Sequence, residues 1–424
     1  DFISVRRSKS GLTSRRSPLS GLSFSLFFFL GERKRGYWRR RSHKISVKNL
    51  NPTDREGKEE KMKNTFGNNI SVTLSGESHG AGITVIIDGL KPGEAVDEEY
   101  IASRLALRRP AGSISTKRCE ADEFRILSGV FCGKTAGTPV CIFIPNADTR
   151  SGDYERTKFL CRPGHADFSA NEKYHGFQDY RGGGHFSGRI TAGLVAAGAV
   201  CQAILGRRGI FIGTHMASAA GVYDRGFEDY APDIAAVSEM NFPVLDADAG
   251  EKMRGMIAAA AADGDSVGGV LETAVIGMPS GVGEPWFDSC ESMLSHILFS
   301  IPGIKGVEFG AGFGFAGMRG SCGNDSFRNE NGRVVTATNN SGGINGGITN
   351  GMPVLFRCAV RPTPSIAKEQ DTVSLEDGEN SVIAVKGRHD PCIVHRAAAV
   401  VTACTAVALL DMLSGRYGTD LIGL

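Results

Sequence analysis

The amino-acid sequence predicts an α+β fold: a single pseudo-symmetric domain of two related halves, with sheet and helices in layers. Three observations lead there. From Met62 onward, β-rich runs alternate with small-residue helical runs. The stretch GESHGAGITVIIDGLKPG (76–93) aligns without gaps on GDSVGGVLETAVIGMPSG (264–281), sharing Gly76/Gly264, Ser78/Ser266, Gly80/Gly268, Gly89/Gly277 and Gly93/Gly281. Two long stretches, 188–205 and 395–413, are apolar or small on nearly every face and belong inside a core. With 424 residues and 41% hydrophobic content the chain can bury one large core or two ordinary ones, and the repeat favours one domain.

Residues 1–61 stand apart. They carry 16 Lys and Arg against 6 Asp and Glu, a net of +10, whereas the remainder nets −8. The LSFSLFFFL run (22–30) is too short to span a bilayer and reads as the apolar part of a targeting signal or as something non-native. The first methionine is Met62, and Lys58, Glu59 and Glu60 before it can be encoded by a bacterial ribosome-binding sequence. Residues 1–61 are therefore expected to be a non-native or disordered extension, and 62–424 the catalytic domain.

In order along that body, ISVTLS (70–75) and GITVIIDGL (82–90) read as strands. DEEYIASRLALRR (97–109) reads as a helix with acids in its first turn and arginines in its last, as the helix dipole favours. LSGVF and PVCIFI read as strands flanking a Gly133-Lys134-Thr135 hairpin turn; Gly129 leaves the GKT one residue short of phosphate-loop spacing. GFGFAG (312–317) fits GxGxxG, but no helix-forming sequence follows, so its glycines belong to turns. The stretch 188–205 is a buried helix, as is 395–413, the latter opened by Asp390 as N-cap and Pro391 at the first helical position.

The acidic body argues against a general nucleic-acid surface. Ten cysteines without CxxC pairs or Cys/His ligand spacing support neither a metal site nor a redox motif; reduced thiols in a cytoplasmic protein are expected.

Within this body, residues 162–189 hold three histidines, three arginines and a triple glycine, but no nucleophile with a paired base. His79 stands in a glycine-flanked turn where the second copy of the repeat has Val267, which marks the histidine for function and the shared residues for scaffold. His165 sits in the RPGHAD turn, with Arg162 beside it to bind an anion and Asp167 to orient the ring. For His175 and His185 a surface or packing role is as well supported as a functional one. Arg108, Arg109, Arg162, Arg181, Arg189, Arg361 and Arg388 all lie beside Gly, Pro or helix-terminal positions, where guanidinium forks can converge on phosphate or carboxylate. RGGGHFSG, NNSGGINGGITNG (339–351) and RPTPS (361–365) offer bare amides and rigid turns, equally readable as hairpin loops or as cradles for phosphate or a flat polar ring. This inventory suits binding a polyanion and moving protons. Two other classes compete with an enzyme of that kind: a phosphotransferase using the GKT turn, and a polyanion-binding protein without chemistry.

At GESHG, RPGHAD, DYRGGGHFSGRITA, SIPGIKGVEFGAGF, the NNSGGINGGITNG/RPTPSI pair and GRHDPC, in order from about Met62 to the end, the sequence resembles the chorismate synthase family. The resemblance implies a homotetrameric lyase with a β-α-β sandwich core, helices buried between antiparallel sheet layers. The implied reaction is the anti 1,4-elimination of phosphate from 5-enolpyruvylshikimate 3-phosphate to give chorismate, for aromatic amino acid biosynthesis. It needs reduced FMN without net redox change. It further implies that His79 and His165 are the two catalytic histidines, one protonating the departing phosphate and the other keeping reduced flavin in its productive protonation state; an unperturbed histidine pKa of about 6.5 suits either task. By the same likeness Ser78 and Ser187 support the flavin and the histidine, and Asp390 helps the flavin accept the substrate proton. FMN contacts carry over to His185, Phe186, Ser187, Pro302, Gly303, Gly346, the run Arg361, Pro362, Thr363, Pro364 and Ser365, and Arg388. Arg108 matches an arginine at the anionic substrate or NADP site, with Arg162, Arg181 and Arg189 as further substrate contacts. Two departures stand out. RRPAGSIST replaces the commoner RRxPGxSR and lacks its second arginine, for which Lys117 or Arg118 are the available substitutes, and His185 and Phe186 replace a commoner Arg and Ser. No stretch matches the flavin reductase domain of some eukaryotic members, so an external reductant is expected.

Overall fold

The computed structural model describes residues 63–110, 121–147, 158–385 and 390–424; these belong to one compact unit, Met62–Leu424. Arg388, Lys117, Arg118 and the expected N-terminal extension lie outside the described residues.

The first half of the chain runs β1 (Thr65–Phe66), β2 (Ser71–Gly76), β3 (Gly82–Asp88), α1 (Glu98–Leu107), β4 (Arg125–Ser128), a small hairpin β5 (Val130–Phe131) and β6 (Lys134–Thr135), β7 (Val140–Pro145), α2 (Asp167–Tyr174) and α3 (Thr191–Gly206). The second half runs β8 (Phe211–Ala219), β9 (Val222–Tyr223), α4 (Tyr230–Val237), α5 (Ala247–Ala262), β10 (Gly269–Ile276), α6 (Cys290–Leu298) and β11 (Ile304–Phe309). It continues through α7 (Gly320–Gly323), the hairpins β12 (Phe327–Glu330) with β13 (Arg333–Thr336) and β14 (Ile344–Asn345) with β15 (Ile348–Thr349), then β16 (Val354–Val360), β17 (Gln370–Val373), β18 (Asn380–Ile383) and α8 (Val394–Tyr417).

Two five-stranded antiparallel sheets result, ordered β1-β2-β3-β7-β4 and β11-β16-β10-β8-β9. The predicted repeat is their common centre. β2, β3, α1, β4, β7 and α3 correspond in chain order and in sheet position to β8, β10, α6, β11, β16 and α8. The shared glycines mark turns that need positive φ: Gly89 at 89° and Gly277 at 83° enter the left-handed region. A Cβ there would lie 1.9 Å from the Asn69 carbonyl oxygen and 2.1 Å from that of Gly209, so each glycine lets its turn close on the chain entering the neighbouring strand.

Helices α3 and α8 lie between the sheets, α3 against β2, β3 and β7, α8 against β8 and β10. Thirteen of the sixteen α3 residues are buried, which is why its polar face is missing. The two helices touch through small residues: a Cβ on Gly198 would fall 2.4 Å from Ala403 Cβ. Both are apolar and long enough to cross a bilayer, but here that apolarity meets protein on all sides. The nine described cysteines are free thiols. Burial pushes those of Cys201, Cys290 and Cys358 up to about 12, so they pack as small apolar groups.

One sequence expectation is corrected. The last helix begins at Val394 after Ile393, so Asp390 and Pro391 precede it rather than cap it. The RPGHAD turn leads directly into a short helix, α2, whose first residue is Asp167. The GKT residues do form a hairpin, with Cys132 and Gly133 at φ 50° and 72° in its turn.

On the second sheet His215 is fully buried, its Nδ1 2.9 Å from Asp224 Oδ2 and its Nε2 3.2 Å from Glu272 Oε2. Burial pulls the imidazole pKa down, but the two carboxylates outweigh it and the net shift is upward. A raised folded pKa contributes stability that is complete below the unfolded value of about 6.5 and is lost as pH rises through the folded value. His215→Gln is therefore expected to lower the melting temperature more at pH 5.5 than at pH 9. An equal drop at both would show that His215 contributes no charge to the fold.

Candidate active site

A large cleft, about 1190 Å³, is bordered by the start of β1 and β2, the turn before α2, the glycine-rich segment before α3, residues 296–305, 361–365 and the start of α8. Both core helices present their N-terminal ends to it, through Thr191 of α3 and Arg396 of α8, where backbone N–H groups favour anions. Nine Arg and Lys side chains line it against four aspartates, although the body of the chain is acidic.

His79 sits in the loop joining β2 to β3 and is 8% exposed. Ser78 Oγ donates to the Arg181 carbonyl at 3.1 Å and lies 3.1 Å from His79 Nδ1. With the hydroxyl hydrogen committed to that carbonyl, the imidazole donates from Nδ1, which fixes the neutral ring's basic nitrogen at Nε2. Gly182 (φ 59°) forms a wall of the ring: a Cβ there would come 2.2 Å from His79 Cε1. His165 is held by Ser365, with Nε2 to Oγ 2.7 Å. Asp167, expected to orient that ring, is engaged by Arg162 in a bidentate pair of 2.7 and 2.8 Å, accepts the Arg162 backbone N–H at 2.9 Å, and also interacts electrostatically with His165. Burial raises the Asp167 pKa and the Arg162 guanidinium more than offsets it, so the carboxylate stays ionised.

Arg108 and Arg189 are both buried and share Asp122: Arg108 Nη2 donates to Oδ2 at 2.7 Å and Arg189 Nη1 donates to Oδ1. Arg189 also reaches Asn146 Oδ1 (3.0 Å) and the Pro145 carbonyl (3.1 Å). Asp390 pairs with Arg396, whose Nε donates to the Arg108 carbonyl at 2.8 Å. The end of α1 and the start of α8 are thus tied together at the cleft.

Of the residues singled out from sequence, His79, His165, His185, Phe186, Ser187, Asp390, Arg108, Arg162, Arg189, Pro302, Gly303, Arg361, Thr363, Pro364 and Ser365 all line this one cleft. His185 donates from Nδ1 to the Gly76 carbonyl at 2.8 Å, and Ser187 Oγ accepts the Arg189 backbone N–H at 3.3 Å. Arg361 donates to the Gly164 carbonyl, joining the two proline turns. Ser78 lies fully buried behind His79. Arg181 forks onto Asp179 at 2.8 Å and does not line the cleft, nor does Pro362. Gly346 is in the β14–β15 turn and does not line the cleft. His175 is an exposed residue closing α2 in left-handed conformation. Sequence reasoning passed over Asp122, Asn146 and Arg396. The signal for Arg396 was a cation at the start of an otherwise apolar helix, against the dipole; for the other two the sequence held none.

The residues fit a flavin and a small polyanion. Four buried side-chain atoms on this cleft, Arg108 Nε, Arg109 Nε, Gln178 Oε1 and Thr363 Oγ1, have no hydrogen-bond partner among the described residues, which is expected where a polar ligand completes the shell. Its volume exceeds that of an ordinary single-ligand site.

Comparison with known proteins agrees with this arrangement. The family model for chorismate synthase matches residues 70–414. The chain is 45% identical over 352 residues to a chorismate synthase from Aeropyrum pernix, covering 83% of this chain and 93% of that protein. It is 46% identical over 356 residues to one from Methanocella arvoryzae, covering 83% and 95%. A crystal structure of chorismate synthase superposes with a TM-score of 0.66 at 29% identity, covering 83% of this chain and 94% of that one. With this match in sequence and overall structure, the chain belongs to the chorismate synthase family, lyases of the shikimate pathway.

Proposed function

We propose that the cleft binds 5-enolpyruvylshikimate 3-phosphate beside reduced FMN, and that residues 62–424 are the catalytic domain for the anti 1,4-elimination that yields chorismate and phosphate. The observation carrying this reading is the convergence of nine cationic side chains and the His79 and His165 imidazoles on one cleft. Loss of phosphate needs charge neutralisation and a proton, and no attacking side chain.

Arg108, Arg162 and Arg189 would meet the substrate's anionic groups, and the Arg108 guanidinium would also meet NADP. Thr363, Ser365, Arg361, Pro302, Gly303, His185 and Phe186 would hold FMN, with Arg388 and Gly346 assigned to it by family likeness alone. Reduced FMN, held there, would supply an electron-rich group able to accept a proton without net redox change. One of His79 and His165 protonates the departing phosphate and the other maintains the productive protonation state of the site. Arg396 holds the Asp390 carboxylate at the cleft, and Ser78 and Ser187 fix the two loops that carry the imidazole and the cradle.

The chain acts in the cytoplasm with reduced flavin supplied by an external reductant. It assembles as a homotetramer, for which the exposed aromatic residues Trp286, Phe287, Phe313 and Phe327 support contacts between copies. The test is anaerobic, with the full chain, 5-enolpyruvylshikimate 3-phosphate and chemically reduced FMN. Phosphate and chorismate should appear in equal amounts and only with reduced flavin. A folded, FMN-binding protein giving no product would sink the reading in favour of a polyanion-binding protein.

A further inference from the structure

The five-residue loop that carries His79, Glu77 to Ala81, is gripped by a residue from a different strand. Asn146 follows the end of β7, next to β3 in the first sheet. Its side-chain Nδ2 donates to two carbonyls of that loop, Glu77 O at 2.9 Å and Gly80 O at 3.0 Å. Its backbone N–H donates to a third, Ala81 O, at 3.2 Å. On the other side Asn146 Oδ1 accepts from Arg189 Nε at 3.0 Å. Arg189 in turn shares Asp122 with Arg108. The amide orientation is forced: turned over, it would place an NH₂ against a guanidinium and an oxygen against two carbonyl oxygens.

A single path therefore runs from the anion-binding arginines through Asp122, Arg189 and Asn146 to the histidine loop. Backbone hydrogen bonding alone does not provide this, because the loop's own closure is a single turn bond, Gly80 N–H to Glu77 O at 3.1 Å. The imidazole is fixed from behind by Ser78 and from the side by Gly182, and the Ser78 N–H donates to the Gly184 carbonyl at 3.1 Å, but the hydrogen-bonded link from the loop to the arginines runs through Asn146.

We propose that Asn146 is a positioning residue for His79: it holds the histidine loop at a fixed spacing from the Arg108–Asp122–Arg189 group, so that the proton carrier and the anion-binding charge meet the same substrate. The inference rests on the reading that His79 carries a proton in turnover. A group displaced by about 1 Å can lose on the order of 10² in rate while binding persists.

The test is a double-mutant cycle in the full chain, reading kcat and KM with reduced FMN. Asn146→Ala should lower kcat by about 10- to 100-fold and change KM by less than about threefold. In the His79→Ala background the same substitution should have little further effect, because its target is gone. Asn146→Asp keeps the size and the contact to Arg189 but sets a carboxylate oxygen against the Glu77 and Gly80 carbonyls; it should be as slow as the alanine variant, which a merely space-filling role would not predict. Unchanged kcat in Asn146→Ala beside an impaired His79→Ala overturns the positioning role and leaves His79 in place. An unimpaired His79→Ala removes the histidine's role and this inference with it. Losses that add across the cycle, or failure of both Asn146 variants to fold, would assign Asn146 to stability and overturn the proposal.

Discussion

Alanine at His79 or at His165 is expected to slow turnover by about 10²- to 10⁴-fold, the usual contribution of a positioned general acid or base, with substrate and FMN affinity little changed. The geometry separates turnover from folding at both sites. His79 occupies a loop whose backbone is held by Asn146 and by the Ser78 N–H to Gly184 carbonyl bond of 3.1 Å, none of which involves the imidazole. His165 lies in a turn anchored by the Arg162–Asp167 fork and by Arg361 on the Gly164 carbonyl. Truncating either ring leaves the turn standing. The two are not equivalent, however. Ser78 commits its hydrogen to the Arg181 carbonyl and so dictates the His79 tautomer, whereas the Ser365 hydroxyl can donate to His165 Nε2 or accept from it. His165 can therefore change protonation without losing its partner, and Ser365→Ala should affect it more than Ser78→Ala affects His79 binding to its loop. Single-turnover phosphate release, measured beside equilibrium binding of FMN, checks the main expectation: weakened binding with turnover intact at saturation would contradict the assigned roles.

How much of this was legible in the sequence depends on whether a residue acts through local or distant partners. The repeat was readable because its glycines answer local demands: Gly89 and Gly277 need positive φ where they stand, so the same letters recur in both halves. The core helices were readable because burial on all faces removes polar residues from the whole stretch. The turns carrying His79 and His165 advertised themselves by flanking Gly and Pro. Asp122, Asn146 and Arg396 did not, because each has at least one partner 43 to 288 residues away, and a lone Asp, Asn or Arg has no periodic signature. The N-cap assigned to Asp390 failed for a different reason, since the helix begins only at Val394. A local rule placed it at the head of α8, while its partner Arg396, one turn inside the helix, drew it toward the cleft. Residues such as Gly346 and Pro362, carried over by family likeness, fall outside the cleft that gathers the others.

Asp122→Ala is expected to destabilise the fold by about 3–5 kcal/mol, because it leaves the buried Arg108 and Arg189 guanidiniums facing each other without their shared counterion. Burial pushes the Asp122 carboxyl up, but the two arginines outweigh it and hold its pKa below the ordinary carboxylate range. A depressed folded pKa contributes stability that is present above the unfolded value of about 3.9 and is lost as pH falls through the folded value. The gap between the native chain and the variant should therefore be complete at pH 7 and narrow toward pH 3. Part of any loss could come from the backbone, since Asp122 has φ 52°, a conformation that Asp and Asn tolerate better than Ala. Asp122→Asn removes the charge and keeps that tolerance, so denaturant unfolding of both variants separates the two causes. A pH-independent gap in the alanine variant together with a stable asparagine variant would assign the effect to the backbone. Equal destabilisation by both, closing in acid, would establish that this carboxylate holds the two buried guanidiniums in place through its charge.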